Sequence, residues 1–150
     1  MSESKKPYTL HFIWLDGCGG CVTFKKTQQQ TFEDMIRNHS SISYMNQEYK
    51  RDDANRHLAH LAQYINWFPT FILTKNNQVV DVFNANVEMK NGVVSCEHAQ
   101  KMPLTAENLI RWAETVMNKP GYIQDNSQSI GSQRFVSKTC RSTNNYRPSN

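Results

Sequence analysis

The feature that most constrains the fold is a run near the start of the chain, Tyr8–Leu15, which is nearly continuously apolar and rich in aromatic and β-branched side chains. A run of this length is typical of a strand that is buried on both faces, as in a sheet with helices on either side. Asp16-Gly17 ends it. From Cys18 to about Asn38 the apolar residues follow one helical face, which Gln28 interrupts, so we expect a helix with a polar or kinked middle.

The next part of the chain alternates between strand-like and helix-like patterns. Ile42–Tyr49 is a weaker strand candidate. A period of 3.6 residues then predicts an α-helix, with Asp52 and Asp53 supplying negative charge at its start. Trp67-Phe68-Pro69 ends this pattern. The apolar face of the predicted helix comprises Ala54, Leu58, Leu61, Ala62 and Ile65.

The second half of the chain predicts a β-hairpin and one more helix. Thr70–Thr74 and Val79–Phe83 flank a polar turn and are typical of paired strands. We expect residues 84–104 to form an irregular insertion. The last helix follows Pro103, with Thr105 as its N-cap, and ends before Pro120-Gly121. This helix should bury Leu109, Ala113, Val116 and Met117.

This order of elements predicts an α/β fold. Strand–helix alternation implies right-handed parallel crossovers, and a hairpin adds antiparallel strands to the same sheet. The expected architecture is a three-layer sandwich in which a mixed four-stranded sheet has helices on both faces. The expected boundaries are a short extension at 1–7, a domain at 8–118 and a polar C-terminal tail at 119–150.

Composition limits the classes of function. A chain of 150 residues is long enough for one domain with a real core. Residues 1–118 carry 12 basic and 12 acidic side chains, so the net charge of +4 belongs to the basic tail, which we expect to be largely disordered. This distribution does not indicate a specific nucleic-acid partner for the domain. No apolar window is long enough for a membrane span, and no secretory signal is evident, so we expect a cytoplasmic protein.

The motif that carries chemistry is Cys18-Gly19-Gly20-Cys21, at the junction between the first strand and the first helix. A helix N-terminus presents unpaired N–H groups and partial positive charge, which should stabilise a thiolate at Cys18 and lower its pKa. Cys21 lies one turn into the helix, on its core-facing side, and should remain buried and protonated. Cys18 would therefore attack a substrate disulfide, and Cys21 would resolve the mixed disulfide.

A second motif, Trp67-Phe68-Pro69-Thr70, stands at the entry to the hairpin. A proline cannot donate to a sheet, and only X-Pro bonds adopt the cis form at modest cost. We hypothesise that a cis bond directs the Phe68 backbone outward beside the thiols, where a peptide substrate can pair with it. Trp67, Phe68 and Pro69, together with Gly19 and Gly20 of the flexible first motif, are therefore the predicted substrate-binding residues.

Taken together, these residues resemble the thioredoxin-like superfamily over roughly Tyr8–Asn118. The resemblance includes Trp14 four residues before Cys18, the Phe68-Pro69-Thr70 segment and the closing helix. It implies a thiol–disulfide oxidoreductase in which Cys18 is the nucleophile, Cys21 the resolving thiol and Pro69 a cis-proline that faces them. We expect protein disulfides or dithiols as substrates, a reductase or sulfhydryl oxidase as electron partner, and a redox-active Cys18–Cys21 disulfide without a bound cofactor.

The sequence also departs from the family pattern and leaves alternatives open. Phe12 stands where thioredoxins carry a buried acid, and Gly17 replaces the bulky residue before the first cysteine. The chain could therefore be a binding module with weak or no redox activity. A metal site that adds Cys96 and Cys140, with His98 nearby, is less favoured because structural zinc normally uses two close pairs of ligands. We expect no metal, and inert thiols at Cys96 and Cys140.

Overall fold

The computed structural model describes residues 6–50, 55–119 and 123. The expectations for the first residues of the extension, for Asp52, Asp53 and Ala54, and for nearly all of the tail, Cys140 included, lie outside these residues. In chain order the elements are β1 (Tyr8–Leu15), α1 (Gly19–Thr27), α2 (Gln29–Arg37), β2 (Ile42–Tyr49), a 3₁₀ helix (Arg56–Tyr64), β3 (Thr70–Lys75), β4 (Gln78–Val82), β5 (Ala85–Lys90), β6 (Val93–His98) and α3 (Ala106–Met117).

The described residues divide into two units. The larger one includes the residues up to Val87 and those from Ser95 onward, and it contains the four-stranded sheet and the helices. The smaller one is Glu88–Val94, where β5 turns into β6 through Asn91 and Gly92, both with positive φ.

The sheet of the larger unit confirms the expected topology. Its strand order is β2-β1-β3-β4, with β1 parallel to β2 and antiparallel to β3, and with β3 antiparallel to β4. The predicted hairpin turn closes at Asn76 and Asn77, both with positive φ, a combination that two-residue hairpin turns require. The central strand β1 is buried over Leu10–Ile13. The chain therefore has the thioredoxin-like α/β fold that the resemblance implied.

One face of the sheet carries an aromatic core beneath α1, α2 and α3. Phe12 stacks on Phe71 at a ring-centroid distance of 5.1 Å, and Phe24 of α1 lies 5.1 Å from both rings. Phe32 of α2 packs edge-on against Phe71 at 5.9 Å. The same cluster includes Leu109, Trp112, Ala113 and Val116 of α3. The three α-helices therefore pack on one face of the sheet, and this packing positions the first turn of α1 relative to the sheet.

The opposite face carries a polar group in its interior. His11 follows the strand alternation away from the aromatic core and is 5% exposed. In the neutral ring, Nδ1 donates to Oε1 of Gln47 at 2.9 Å, and Nε2 accepts from the hydroxyl of Thr74 at 3.2 Å. His60 of the 3₁₀ helix lies 6.3 Å from the His11 ring, so this helix covers the second face.

The break between α1 and α2 confirms the predicted interruption at Gln28. Its φ of −126° leaves the helical region, and α2 starts at the next residue. The Gln28 side chain accepts a hydrogen bond from the backbone N–H of Ala106 at 2.9 Å. The first N–H groups of a helix have no carbonyl of a preceding turn to bond. The polar side chain of Gln28 therefore supplies an acceptor for one of these groups at the start of α3.

The predicted α-helix before Trp67 is wrong in type, because the residues Arg56–Tyr64 form a 3₁₀ helix. The buried side chains are Leu58, Leu61 and Tyr64, which recur every three residues and match three residues per turn. Ala62, which the 3.6-residue period placed on the buried face, is exposed, and Ile65 is the C-cap.

The expectation that residues 84–104 are irregular is also wrong. Ala85–Lys90 and Val93–His98 pair as a two-stranded sheet, joined by Asn91-Gly92. These strands are mostly polar and largely exposed, so their apolar pattern is weak. The signal that could have found them is the Asn-Gly dipeptide, a strong hairpin former because both residues tolerate positive φ.

Candidate redox site at the start of the first helix

A tight turn between β1 and α1 places the first cysteine at the start of α1. Gly17 has a φ of +82°, a conformation that side-chain-bearing residues rarely adopt. The backbone N–H of Cys18 donates to the carbonyl of Leu15 at 3.2 Å, which closes the turn. The glycine that departs from the family pattern is therefore required by the backbone at this position.

Cys18 is the N-cap residue of α1 and is half-buried. Its Sγ accepts a hydrogen bond from the backbone N–H of Cys21 at 3.4 Å, the role that a Ser or Asp side chain usually has at an N-cap. The first turn of α1 contains no acidic residue, so no carboxylate of that turn opposes the positive end of the helix. This arrangement favours negative charge on the Cys18 sulfur.

Cys21 is buried, as the sequence predicted, and 1% exposed. Burial raises the pKa of its thiol to about 11, and the hydrogen bond with Cys18 acts in the same direction. The backbone N–H of Leu15, which donates to the Cys21 Sγ at 3.5 Å, and the charge of Lys25 both lower the pKa. At neutral pH Cys21 is therefore a protonated thiol. Both side chains are thiols in this structure.

The prolyl segment lies directly against Cys18 and Gly20. The Phe68–Pro69 bond is cis, as hypothesised. Cys18 Sγ donates to the carbonyl oxygen of Phe68 at 3.5 Å. A Cβ built on Gly20 would lie 3.4 Å from Pro69 Cδ and 3.5 Å from Phe68 O, whereas one built on Gly19 would meet nothing within 4 Å. Gly20 therefore forms the contact between helix and proline, and Gly19 faces open space.

The two aromatic residues before Pro69 have partners that were not predicted from the sequence. Phe68 lies 5.2 Å from the Tyr49 ring at the end of β2, and Trp67 lies 5.2 Å from His98 at the end of β6. The Asn66 side chain donates to the carbonyl of Cys96 at 2.8 Å. Trp67 and Phe68 are both half-buried. The strand β6 was not predicted, so the contacts of Trp67 and Asn66 with it were not expected.

The position of the missing acid is filled by the aromatic core. Phe12 is fully buried against Phe24 and Phe71. His11, the adjacent titratable residue of β1, faces the other side of the sheet, where burial lowers its pKa. Neither residue offers a carboxylate to take up a proton from Cys21.

The sulfur of Cys96, the third cysteine among the described residues, bonds the 3₁₀ helix. Cys96 is buried, its Sγ donates to the carbonyl of Tyr64 at 3.6 Å, and burial raises the pKa of its thiol to about 11. Within residues 6–50 and 55–119, no three His, Cys, Asp or Glu side chains are grouped so that they could hold a metal ion. None of the helices in the described part of the chain has the length and apolar character that a bilayer crossing requires.

In fold, the chain is similar to thioredoxins of known structure. Thioredoxin f from spinach chloroplast, in its long form, is 13% identical with a TM-score of 0.49, over 75% of this chain and 73% of that one. Thioredoxin f2 in complex with ferredoxin:thioredoxin reductase is 16% identical with a TM-score of 0.49, over 75% and 80%. Plasmodium falciparum thioredoxin is 14% identical with a TM-score of 0.45, over 75% and 84%. No family model and no curated protein matches the sequence.

Proposed function

We propose that this protein is a thiol–disulfide oxidoreductase that exchanges disulfides with protein substrates. The observation that supports this most is the position of the Cys18 sulfur. It accepts a hydrogen bond from the N–H of Cys21 at 3.4 Å at the start of a helix, and it lies 3.5 Å from the backbone carbonyl of Phe68. The N–H and the helix N-terminus stabilise a thiolate, and the Phe68 carbonyl places the sulfur beside backbone that a peptide can approach.

In the first step, the Cys18 thiolate attacks one sulfur of a substrate disulfide. A bond forms between Cys18 and that sulfur, the substrate disulfide breaks, and the second substrate sulfur leaves with the electron pair and takes up a proton. Cys21 does not compete for the substrate, because it is buried and its raised pKa keeps it protonated. Ionisation of Cys18 also removes its donor to Phe68 O, which frees this carbonyl for a substrate N–H.

In the second step, Cys21 loses its proton and attacks the Cys18 sulfur. The mixed disulfide breaks, the remaining substrate sulfur leaves as a thiolate and is protonated, and the chain is left with a Cys18–Cys21 disulfide. The substrate has gained two electrons and two protons, and the protein has lost them. The same steps in reverse oxidise a substrate dithiol.

The partners follow from this chemistry. The pair itself carries the electrons, so no bound cofactor is required, and a separate reductase or sulfhydryl oxidase restores the starting state. Tyr49, Trp67 and Phe68 supply an aromatic rim on which a substrate segment can lie beside Pro69. The cytoplasmic location expected from the sequence remains a prediction.

A binding module without redox activity is the second candidate. Phe12 favours it, because its apolar ring occupies the place of the acid that assists resolution in thioredoxins. In that case the aromatic rim beside Pro69 would hold a partner that does not depend on the thiols.

Reduction of insulin disulfides by dithiothreitol, followed as turbidity, tests the proposal. Wild type should accelerate the reaction, Cys18→Ser should reduce it to the uncatalysed rate, and Cys21→Ser should accumulate mixed disulfides visible by mass spectrometry. Cys96→Ser is the matched control, because it removes a buried thiol of similarly raised pKa outside the site. A wild type no faster than the double variant Cys18→Ser/Cys21→Ser would contradict the proposal. Stoichiometric zinc in protein purified without added metal would instead favour a metal site.

A further inference from the structure

The ammonium group of Lys25 is held on an aromatic ring close to the resolving thiol. Its Nζ lies 2.9 Å from the ring centroid of Trp14, and the Trp14 indole donates to Oδ1 of Asn46 at 2.7 Å. The tryptophan is therefore anchored to the neighbouring strand β2, and its face binds the lysine by a cation–π contact. Lys25 is half-buried, so its charge is only partly screened by water.

Two connections place this charge beside Cys21. Lys25 is four residues after Cys21 in α1, so the two side chains lie on the same side of the helix. Trp14 directly precedes Leu15, whose N–H donates to the Cys21 sulfur at 3.5 Å. The helix thus places Lys25 and Cys21 on one side of α1, and the strand β1 supplies both the ring that binds Lys25 and the N–H that bonds the Cys21 sulfur.

The electrostatic effect agrees with this placement. Burial raises the pKa of Cys21, and the charge of Lys25 acts against that rise. The other titratable group that acts on Cys21 in the described residues is Cys18, which raises its pKa further. The carboxylate of Glu33 also reaches Asn46, at 3.4 Å, but it accepts from the hydroxyl of Tyr44 at 2.7 Å and pairs with Arg37 at 3.4 Å.

We propose, building on the oxidoreductase function above, that Lys25 is the charge that assists Cys21 in the second step and that Trp14 is the residue that positions it. As Cys21 gives up its proton and attacks the mixed disulfide, negative charge develops on a sulfur that the protein has buried. The positive charge of Lys25 stabilises that negative charge by attraction. Lys25 thereby compensates in part for the absent acid, whose place Phe12 occupies.

The test measures alkylation of Cys21 by iodoacetamide as a function of pH. The full chain carries Cys18→Ser, Cys96→Ser and Cys140→Ser, so that Cys21 is the single remaining cysteine. In this background Lys25→Met should lower the rate at pH 8 by about threefold, which corresponds to roughly half a pKa unit for a charge on the same side of the helix. Lys25→Arg should restore the rate, and Trp14→Leu should lower it in the same direction as Lys25→Met.

Lys26→Met is the matched control, because Lys26 is the exposed neighbour in the same turn. It should leave the rate at pH 8 unchanged. All rates are compared between pH 7 and 9, well below the pKa of Cys21 at about 11, because lysine side chains are cations in that range. Lys25→Arg separates charge from access to Cys21, since it retains the charge and changes the shape of the side chain. Equal rates for Lys25→Met and Lys26→Met would overturn the proposal.

The alkylation experiment separates this inference from the proposed function. A wild type that fails to reduce insulin disproves the oxidoreductase function, whereas an unchanged alkylation rate at pH 8 in Lys25→Met disproves only the role of the lysine. In an active protein, Lys25→Met should also slow decay of the mixed disulfide about threefold and leave its formation by Cys18 unchanged. An equal slowing of both steps would contradict the assignment to Cys21.

Discussion

The two faces of the central sheet are built on different principles, although adjacent residues of one strand face them. Phe12 enters an aromatic cluster in which Phe71 and Phe24 lie at centroid distances of 5.1 Å. His11 enters the other face, where both of its ring nitrogens are hydrogen-bonded, to Gln47 of β2 and to Thr74 of β3. The burial of aromatic rings, which is a non-directional hydrophobic effect, stabilises the first face. Directional hydrogen bonds between side chains of three strands stabilise the second.

The difference has a consequence for the site. The helices α1, α2 and α3 pack on the aromatic face. This packing positions the start of α1, and thus Cys18, relative to the sheet. The polar face lies beneath the 3₁₀ helix and contributes to the alignment of β2 and β3 against β1, since Gln47, His11 and Thr74 meet only in this register. β3 begins at Thr70, directly after Pro69, so both faces contribute to the distance between thiol and proline.

The largest expected effect concerns the aromatic face. Phe71→Ala removes the ring that contacts Phe12, Phe24 and Phe32, and leaves a cavity in a fully packed cluster. We expect the free energy of unfolding to fall by about 3–5 kcal/mol, measured by urea denaturation at pH 7.5. Val22→Ala, on the exposed side of α1, should stay within about 0.5 kcal/mol. A loss below about 1 kcal/mol for Phe71→Ala would mean that the cluster is not the main source of stability.

A smaller effect is expected on the polar face. Gln47→Leu removes the acceptor of the His11 Nδ1–H and leaves that donor buried and unsatisfied. We expect a loss of about 1–3 kcal/mol in the same measurement. Met45→Leu is the control on the same strand, because Met45 is exposed and a leucine there should change stability by less than about 0.5 kcal/mol. Equal stabilities for the two variants would show that the buried hydrogen bond contributes nothing.

The third prediction is a pH dependence that belongs to the polar face alone. Burial lowers the pKa of His11 from its usual 6.5, while the Gln47 hydrogen bond raises it and the charge of His60 lowers it. The unfolded chain therefore binds a proton more readily than the folded chain. Stability is complete above pH 6.5 and is lost as the pH falls through 6.5 toward the lower folded-state value.

Urea midpoints at pH 7.5 and pH 5.5 measure this dependence. The midpoint should fall between the two values in wild type, and the decrease should become smaller in His11→Gln. His57→Gln is the control, because His57 is an exposed histidine of the same 3₁₀ helix and the variant should leave the decrease unchanged. The window avoids Glu33, whose pKa is lowered from 4.5 by its hydrogen bonds despite burial and which affects stability only at more acidic pH. A midpoint that does not move in wild type would contradict the prediction.

Much of the fold was readable from local patterns. The bounds of Tyr8–Leu15 and Ile42–Tyr49, the interruption at Gln28 and the N-cap at Thr105 all agree with the structure. Each depends on signals within a few residues: a continuous apolar run, a polar residue on an apolar face, or a side chain that satisfies the first N–H groups of its own helix. For Thr105 that bond runs to Asn108, three residues away.

The wrong predictions have physical causes of the same local kind. The spacing of Leu58 and Leu61 fits a helix of 3.6 residues per turn as well as one of three residues per turn. Tyr64, the third buried side chain, distinguishes the two because it continues the spacing of three, and it was not among the residues predicted to be buried. The polar hairpin at 85–98 buries few side chains, so it lacks the apolar alternation by which strands are usually identified.

Local patterns in the sequence were enough to predict most of the elements and the place of the two thiols at a strand-to-helix junction. An apolar run, a glycine turn and a helix start place two thiols three residues apart, because these features depend on neighbours along the chain. Which distant groups contact these thiols follows from the packing of the sheet and the helices. The Phe68 carbonyl accepts from the Cys18 thiol, and the Gln28 side chain accepts from the Ala106 N–H. The ammonium group of Lys25 lies over the ring of Trp14. Such contacts arise when the sheet and helices pack, and the periodicity of a single segment contains no information about them.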